Sequence, residues 1–282
     1  MRSGAWWIAV FALPLLAQDR PTGQGVNFYS LEKEAALGRQ LAADATRNTK
    51  PLDSAAVRDY VNQLGAGLAA KFSGPAFTYT FAVISRGADN ATHEPLSLPG
   101  GYIFVPASLF LAAQDEAEFA GMLAHSIAHI ARRHYTRQAT RGQLVNMSLG
   151  NMSTAPLIYM GGPAGQAMDQ NQNLSIPLGL LRLHRENELE ADRLAADSMA
   201  AAGFDPAALA LYIGRVQPED GSRSWVFSPL PTRDQRLGRL EDAVRALPAQ
   251  AYAAGVAFQV VRDEVRRLLP TPALTRPPTL RR

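Results

Sequence analysis

Apolar residues recur at helical spacing along most of the chain. Ser30 precedes a segment with apolar residues three and four positions apart, which predicts a helix capped by Ser30 that ends near Asp44. After Ser54, one apolar stripe from Val57 to Phe72 predicts a second helix. The same periodicity predicts further helices at 116–138, 181–203, 206–216 and 233–247.

Two short segments follow a different period. The sequence FTYTFAVI at 77–84 alternates and is rich in aromatic and β-branched residues, and YIFV at 102–105 is a second such run. Both patterns predict strands. The chain is therefore predicted to form an α+β domain, mainly α, with a small sheet between helices.

Composition excludes several classes of function. The chain has 282 residues, of which 47% are hydrophobic, and this is enough for a sizeable core. It has no cysteine, which excludes disulfides, thiolate metal ligands and a cysteine nucleophile. The net charge is only +3, and the basic residues are scattered, so no nucleic-acid-binding surface is predicted.

The two ends of the chain differ from its middle. Arg2, an apolar stretch from Ala5 and the small residue Ala17 predict a cleaved signal peptide at 1–17. The stretch is short for a membrane span, and a retained interfacial anchor is the alternative. We predict a linker at 18–29, one domain at 30–250, and a C-terminal helix with a disordered tail rich in proline and arginine at 251–282.

Two histidines stand four positions apart in a predicted helix. His125 and His129 therefore share one helical face and can offer two imidazoles to one cation. In a later helix, Glu188 can supply a third ligand, and Asp192 can hydrogen-bond a ligating imidazole. Taken alone, the histidines also fit a packed core pair, and the carboxylates fit a solvated helix face. His184 shares a face with Glu188 and could compete as a ligand.

Five sequence segments together resemble a known family. They are LEKEAALGRQLA, VRDYVNQLG, LPGGYIFV, EAEFAGMLAHSIAHIARRH and RENELEADRLAADSMAAAGFDP. In their order and spacing, the chain resembles the CAAX prenyl protease family of zinc metallopeptidases, in its soluble, exported bacterial branch. The resemblance extends from about Leu31 to Leu247.

The resemblance implies a zincin-like domain of the gluzincin type that binds one Zn²⁺ per chain. The ligands would be His125, His129 and Glu188, with Asp192 behind one of the imidazoles. A polypeptide would be the substrate or ligand. The expected location is the periplasm or the exterior of the cell after cleavage of the signal peptide, which is compatible with peripheral contact with the outer membrane or with envelope proteins.

The resemblance also implies that one strand borders the active-site cleft. An extended peptide could add to that strand by backbone pairing. The residues expected to form this edge are Gly100, Gly101, Tyr102, Ile103 and Phe104.

The chain departs from the family pattern at two positions. The family motif is HExxH, in which the glutamate acts as general base, but here Ser126 stands in its place. A serine hydroxyl is too weak a base for this step, and no GxSxG motif or free base suggests that it acts as a nucleophile. Leu230 stands where relatives have a histidine before a proline, whereas Arg236 fits the family's arginine.

Three interpretations of this pattern remain open. The first is a pseudopeptidase that keeps zinc and a peptide-binding groove but has lost the base. The second is an active zinc endopeptidase of envelope protein quality control that uses another base, such as Glu94 or Glu186. The third is a metal-free structural or chaperone-like module in which the histidine pair is a relic.

Overall fold

The computed structural model describes residues 26–86, 94–148, 178–217, 230–252 and 257–269, which form nine helices and four strands. The helices are α1 (Leu31–Asn48), α2 (Ala55–Ala69), α3 (Ala107–Ala112), α4 (Glu116–Ala131), α5 (His134–Ser148), α6 (Leu178–Ala201), α7 (Ala207–Val216), α8 (Arg233–Ala246) and α9 (Ala257–Leu268). The strands are β1 (Lys50–Pro51), β2 (Thr80–Arg86), β3 (Leu96–Leu98) and β4 (Tyr102–Pro106). The predicted fold class, mainly α with a small sheet, is confirmed.

Helix α4 forms the centre of the core. Asp115 caps its N-terminus by accepting a hydrogen bond from the backbone N–H of Glu118. The helix then contacts α2, α6 and α7, and apolar side chains such as Phe119 are fully buried around it. Phe110 of α3 and Phe258 of α9 lie 4.4 and 5.4 Å from the Phe119 ring, centroid to centroid. This packing fixes α4 on several sides.

The sheet has the order β1-β2-β4-β3. Strand β4 is parallel to β2 and antiparallel to β3, so it lies inside the sheet. The expectation that YIFV forms the edge strand is therefore wrong: among the described strands, the edge that contacts α4 is β3. Strand β3 has only three residues, too few for an alternating pattern to reveal it.

A tight turn joins β3 to β4, and the five residues expected at the sheet edge lie in this turn or in β4. Gly100 and Gly101 lie in this turn, at φ angles of 77° and 107°, which glycine adopts without a Cβ clash. Tyr102, Ile103 and Phe104 follow in β4 and pair with β3 on one side and with β2 on the other. None of these five residues lies in β3, the strand at that edge of the sheet.

The predicted helix 116–138 is broken at Arg132 and Arg133, where α4 ends and α5 begins shortly afterwards. Arg133 adopts a left-handed conformation with φ of 57°. Its guanidinium donates to Glu34 of α1 at 2.6 Å and to the backbone oxygen of Tyr29 at 2.5 Å. The break therefore depends on a partner about a hundred positions earlier, and helical periodicity could not reveal it.

Two predictions about the ends fall on residues outside the described part. These are the signal peptide at 1–17 and the tail beyond residue 269. Helix α9 lies within the range where a C-terminal helix was expected. No helix in the described part of the chain has the length and apolar character needed to cross a membrane.

Candidate metal centre

Helices α4 and α6 bring three potential ligands together. The Nε2 atoms of His125 and His129 lie 3.1 Å apart. The two carboxylate oxygens of Glu188 lie 3.4 Å from the Nε2 of His125 and 3.5 Å from that of His129. All three residues are buried, and one ligand atom from each lies within 4.8 Å of the other two.

The donor set fits zinc. Zn²⁺ prefers nitrogen and oxygen ligands at about 2.0–2.2 Å in a tetrahedral arrangement, which separates two ligands by about 3.4 Å. The two imidazole nitrogens, 3.1 Å apart, are close to that separation, and each lies 3.4 or 3.5 Å from one of the two Glu188 oxygens. Three protein ligands leave one tetrahedral position for another molecule, as in catalytic rather than structural zinc sites.

Asp192 lies behind His125. Its Oδ1 is 2.8 Å from Nδ1 of His125. Arg236 of α8 donates to both carboxylate oxygens, from Nε at 2.7 Å and from Nη2 at 2.6 Å. Because Asp192 is fully buried, its charge needs a partner, and this bidentate ion pair with Arg236 stabilises the carboxylate behind the imidazole.

The ionisation of the centre follows from these contacts. Burial alone would lower the pKa of His125, but Asp192 and Glu188 raise it to about 9 in the metal-free protein. Burial would raise the pKa of Glu188, yet the facing histidines hold it well below its usual range. Burial likewise opposes ionisation of Asp192, and Arg236 keeps its pKa below the ordinary value. The centre thus holds carboxylates in their charged form.

Ser126 is buried, and its hydroxyl is bonded within its own helix. Its side chain is 2% exposed, and the hydroxyl donates to the backbone oxygen of Met122 at 3.0 Å. This is the bond that serines commonly make to the preceding turn of their own helix. The hydroxyl is therefore engaged within α4.

Tyr135 connects the edge strand to the centre. Its ring stacks on that of His129, with 5.6 Å between the centroids and 24° between the planes. Its hydroxyl hydrogen-bonds the side chain of Ser97 in β3. Burial raises the pKa of Tyr135, so its hydroxyl stays protonated at neutral pH. The edge strand and one ligand are thereby held in a fixed relation.

Other sequence candidates lie near the centre without joining it. The Nε2 of His184 is 3.8 Å from Glu188, but His184 lies outside the set of ligand atoms that are mutually within 4.8 Å. The half-exposed Glu94 places Oε1 3.9 Å from Nη1 of Arg236. Leu230, at the position where the family resemblance leads one to expect a histidine, is partly buried before α8.

Sequence reasoning missed Glu190 as a residue of the centre and gave His134, which fits the family's Arg-His pair, only a structural role. Both are buried, and His134 contacts His129 on the side away from the other ligands. The signal available in the sequence was the position of Glu190 between Glu188 and Asp192 in ELEAD.

The sequence model of peptidase family M48 matches residues 55–244, a range that contains all three potential ligands. The chain belongs to peptidase family M48. Family M48 is the CAAX prenyl protease-like family of zinc metallopeptidases, so the resemblance inferred from the sequence motifs is confirmed.

Several M48-type relatives have descriptive names. The chain is 28% identical to a putative β-barrel assembly-enhancing protease of Vibrio cholerae, over 92% of this chain and 55% of that protein. It is 28% identical to the β-barrel assembly-enhancing protease of Yersinia pestis, over 81% and 46% of the two chains. It is 26% identical to that of Escherichia coli K12, over 76% and 44%. The chain thus spans about half the length of these curated relatives.

Proposed function

We propose that this chain is a zinc-binding but catalytically impaired member of its family, which binds extended segments of envelope polypeptides and does not cut them efficiently. The observation that supports this most strongly is the convergence of a complete ligand set beside a serine whose hydroxyl is bonded to Met122 within its own helix.

The proposed metal ligands are His125, His129 and Glu188. Zinc held there would polarise a carbonyl and lower the pKa of a water molecule bound to it. What the chain lacks is a group to move the proton, because Ser126 cannot accept one at neutral pH. General acid–base assistance is worth about 10² to 10⁴ in rate, so its loss reduces turnover strongly.

Strand β3 is the proposed peptide-binding edge. An extended polypeptide pairs by backbone hydrogen bonds with an open strand, and this mode needs little sequence specificity. The contact of Tyr135 with both Ser97 and His129 would align such a peptide with the metal. Because the relatives are named for β-barrel assembly, we propose envelope polypeptides as ligands, with the protein in the periplasm or secreted once 1–17 is removed.

Elemental analysis and a cleavage assay on the purified chain test this proposal together. We expect one zinc per chain, and cleavage of an unfolded protein such as casein at about a hundredth or less of the rate of a family member with glutamate at the position of Ser126. Rates equal to those of that relative contradict the loss of activity. Absence of zinc in protein purified without chelator contradicts the metal site and favours a metal-free module.

Two variants of α6 distinguish the loss of a zinc ligand from the unspecific effect of removing a carboxylate from this helix. Glu188→Gln removes a ligand with little change in shape and is expected to abolish stoichiometric zinc. Asp197→Asn changes an exposed carboxylate of the same helix and is expected to retain it. Equal zinc contents in the two variants would show that Glu188 is not a ligand.

A second candidate function is an active zinc endopeptidase that uses Glu94 as its base. The observation in its favour is that Glu94 lies 3.9 Å from Arg236, whose other side holds the carboxylate behind His125. Glu94 also lies two positions before the edge strand in the sequence. It remains the weaker candidate because its carboxylate faces Arg236 and has no contact with the three ligands among the described contacts.

The two candidates differ in their response to mutation. An active enzyme that uses Glu94 loses its activity when a chelator is added and in the variant Glu94→Gln. Glu186→Gln tests in the same way the other base named from the sequence. Activity that survives Glu94→Gln excludes Glu94 as the base. Full activity that is lost in this variant, with zinc retained, supports the second candidate over the first.

A further inference from the structure

We infer that His134 and Glu190 are positioning residues that hold the imidazole of His129 in the tautomer and orientation which a metal ion requires. The inference rests on the proposed metal site and extends it to residues that are not themselves ligands. It gives His129 a partner equivalent to the one that Asp192 provides for His125.

The contacts form a continuous line of buried groups. Nδ1 of His129 lies 3.2 Å from Nδ1 of His134. On the other side of the second ring, Nε2 of His134 lies 3.4 Å from Oε2 of Glu190. The two rings are nearly perpendicular, at 83°, with 5.0 Å between their centroids. All three side chains are at least nine-tenths buried.

The line of contacts fixes where the protons are. The carboxylate of Glu190 can only accept, so Nε2 of His134 carries the proton. Arg132 pairs with the same carboxylate at 2.9 Å, so the charge is balanced with a neutral His134 ring, whose Nδ1 is then an acceptor. Nδ1 of His129 must therefore donate. The lone pair of His129 is left on Nε2, the atom that faces His125 and Glu188.

The break between α4 and α5 makes this contact geometrically possible. On an uninterrupted α-helix, five residues advance the side-chain direction by about 500°, which leaves the two rings about 140° apart. The left-handed turn at Arg133 changes the chain direction so that His134 faces back toward His129. The bonds of Arg133 to Glu34 and Tyr29 hold that turn.

Two substitutions of His134 distinguish positioning from packing. His134→Asn keeps a carbonyl oxygen near the place of ring Nδ1 and can still accept from His129. His134→Phe keeps the planar ring and fills the volume better, but it cannot accept a hydrogen bond. A packing role predicts that phenylalanine is the better replacement, whereas the inferred role predicts the reverse.

Zinc affinity is measured by competition with a chromophoric chelator on the full chain. Loss of such a partner typically weakens metal binding by about 10–100-fold, which is the expected loss for His134→Phe. For His134→Asn, we expect a zinc affinity within about threefold of that of the unsubstituted protein, because asparagine keeps the hydrogen-bond acceptor. Thermal unfolding of the metal-free variants corrects for any difference in fold. Unchanged affinity in His134→Phe, or an equal loss in both variants, overturns the inference.

A metal-independent measurement separates this inference from the proposed function. In ring-¹⁵N-labelled, metal-free protein, we expect a slowly exchanging, downfield N–H resonance from Nδ1 of His129 that disappears in His134→Phe and persists in His134→Asn. If the chain binds no zinc but shows this resonance, the metal proposal fails and the inferred hydrogen bond stands. If the resonance is missing, the inference fails whatever the zinc content.

Discussion

The hydroxyl of Ser126 donates to the backbone oxygen of Met122, 3.0 Å away within the same helix. This hydrogen bond turns the side chain at the position of the family's general base back along α4. The ligands on either side of it in sequence, His125 and His129, still converge with Glu188. The proposed metal ligands therefore converge without the glutamate that accompanies them in the HExxH motif.

Restoring the carboxylate is expected to restore activity. Ser126→Glu should raise the rate of polypeptide cleavage by about 10² to 10⁴, because this is the usual contribution of a general base. Ser126→Gln has nearly the same shape but cannot accept the proton, so it should remain as inactive as the unsubstituted chain. The assay compares the two variants at equal zinc content. Equal rates for glutamate and glutamine would mean that the missing base is not what limits turnover.

The sequence predicts the ligand set better than the groups that orient it. His125 and His129 lie on one helix, so their spacing alone places them on one face, and the family motif adds Glu188. The role of His134 could not be predicted this way, because it depends on the break at Arg133. That break is held by Glu34, which lies on another helix and far away in sequence.

The sheet shows a similar limit. The pattern of FTYTFAVI and YIFV predicted both longer strands, since each spans enough residues to show alternation. Strand β3 has three residues, between Pro95 and the turn that contains Gly100 and Gly101. Which strand lies at the edge is decided by pairing across the sheet, and this is a property of the tertiary fold.

Zinc binding is expected to stabilise the folded chain. A ligand that binds only the folded state adds about 2.7 kcal/mol to the free energy of unfolding when its free concentration is a hundred times its dissociation constant. We therefore expect the unfolding midpoint to rise with added zinc and to fall again with chelator. In Glu188→Gln, the same titration should leave the midpoint unchanged. A zinc response of equal size in that variant would indicate binding elsewhere on the chain.

The buried pair of Arg236 and Asp192 is expected to be a large contributor to stability. Arg236→Met leaves a fully buried carboxylate without its cation, a change that typically costs about 3–5 kcal/mol. The control is Arg193→Ala, which removes an exposed ion pair on α6 and should cost no more than about 0.5 kcal/mol. Urea unfolding measures both.

Arg236→Lys extends this test if the methionine variant does not fold. Lysine keeps the charge but cannot donate from two nitrogens in parallel, so an intermediate loss of stability is expected. A cost for Arg236→Lys no larger than that for Arg193→Ala would contradict the importance of the two-pronged bond.

The close approach of α1 to the β3–β4 turn gives the last prediction. A Cβ on Gly38 would lie 1.9 Å from the backbone oxygen of Pro99, whereas a Cβ on Gly67 of α2 would meet no atom within 4 Å. Both glycines lie within helices, where alanine is intrinsically favoured by about 1 kcal/mol. Gly67→Ala should therefore stabilise the chain by up to about that amount. Gly38→Ala should destabilise it by about 1–3 kcal/mol, because backbone has to move to make room.

Since the displaced turn leads out of strand β3, Gly38→Ala should also weaken peptide binding measured by fluorescence anisotropy, while Gly67→Ala should not. The packing of α1 on this turn would be refuted if the two substitutions changed the free energy of unfolding in the same direction.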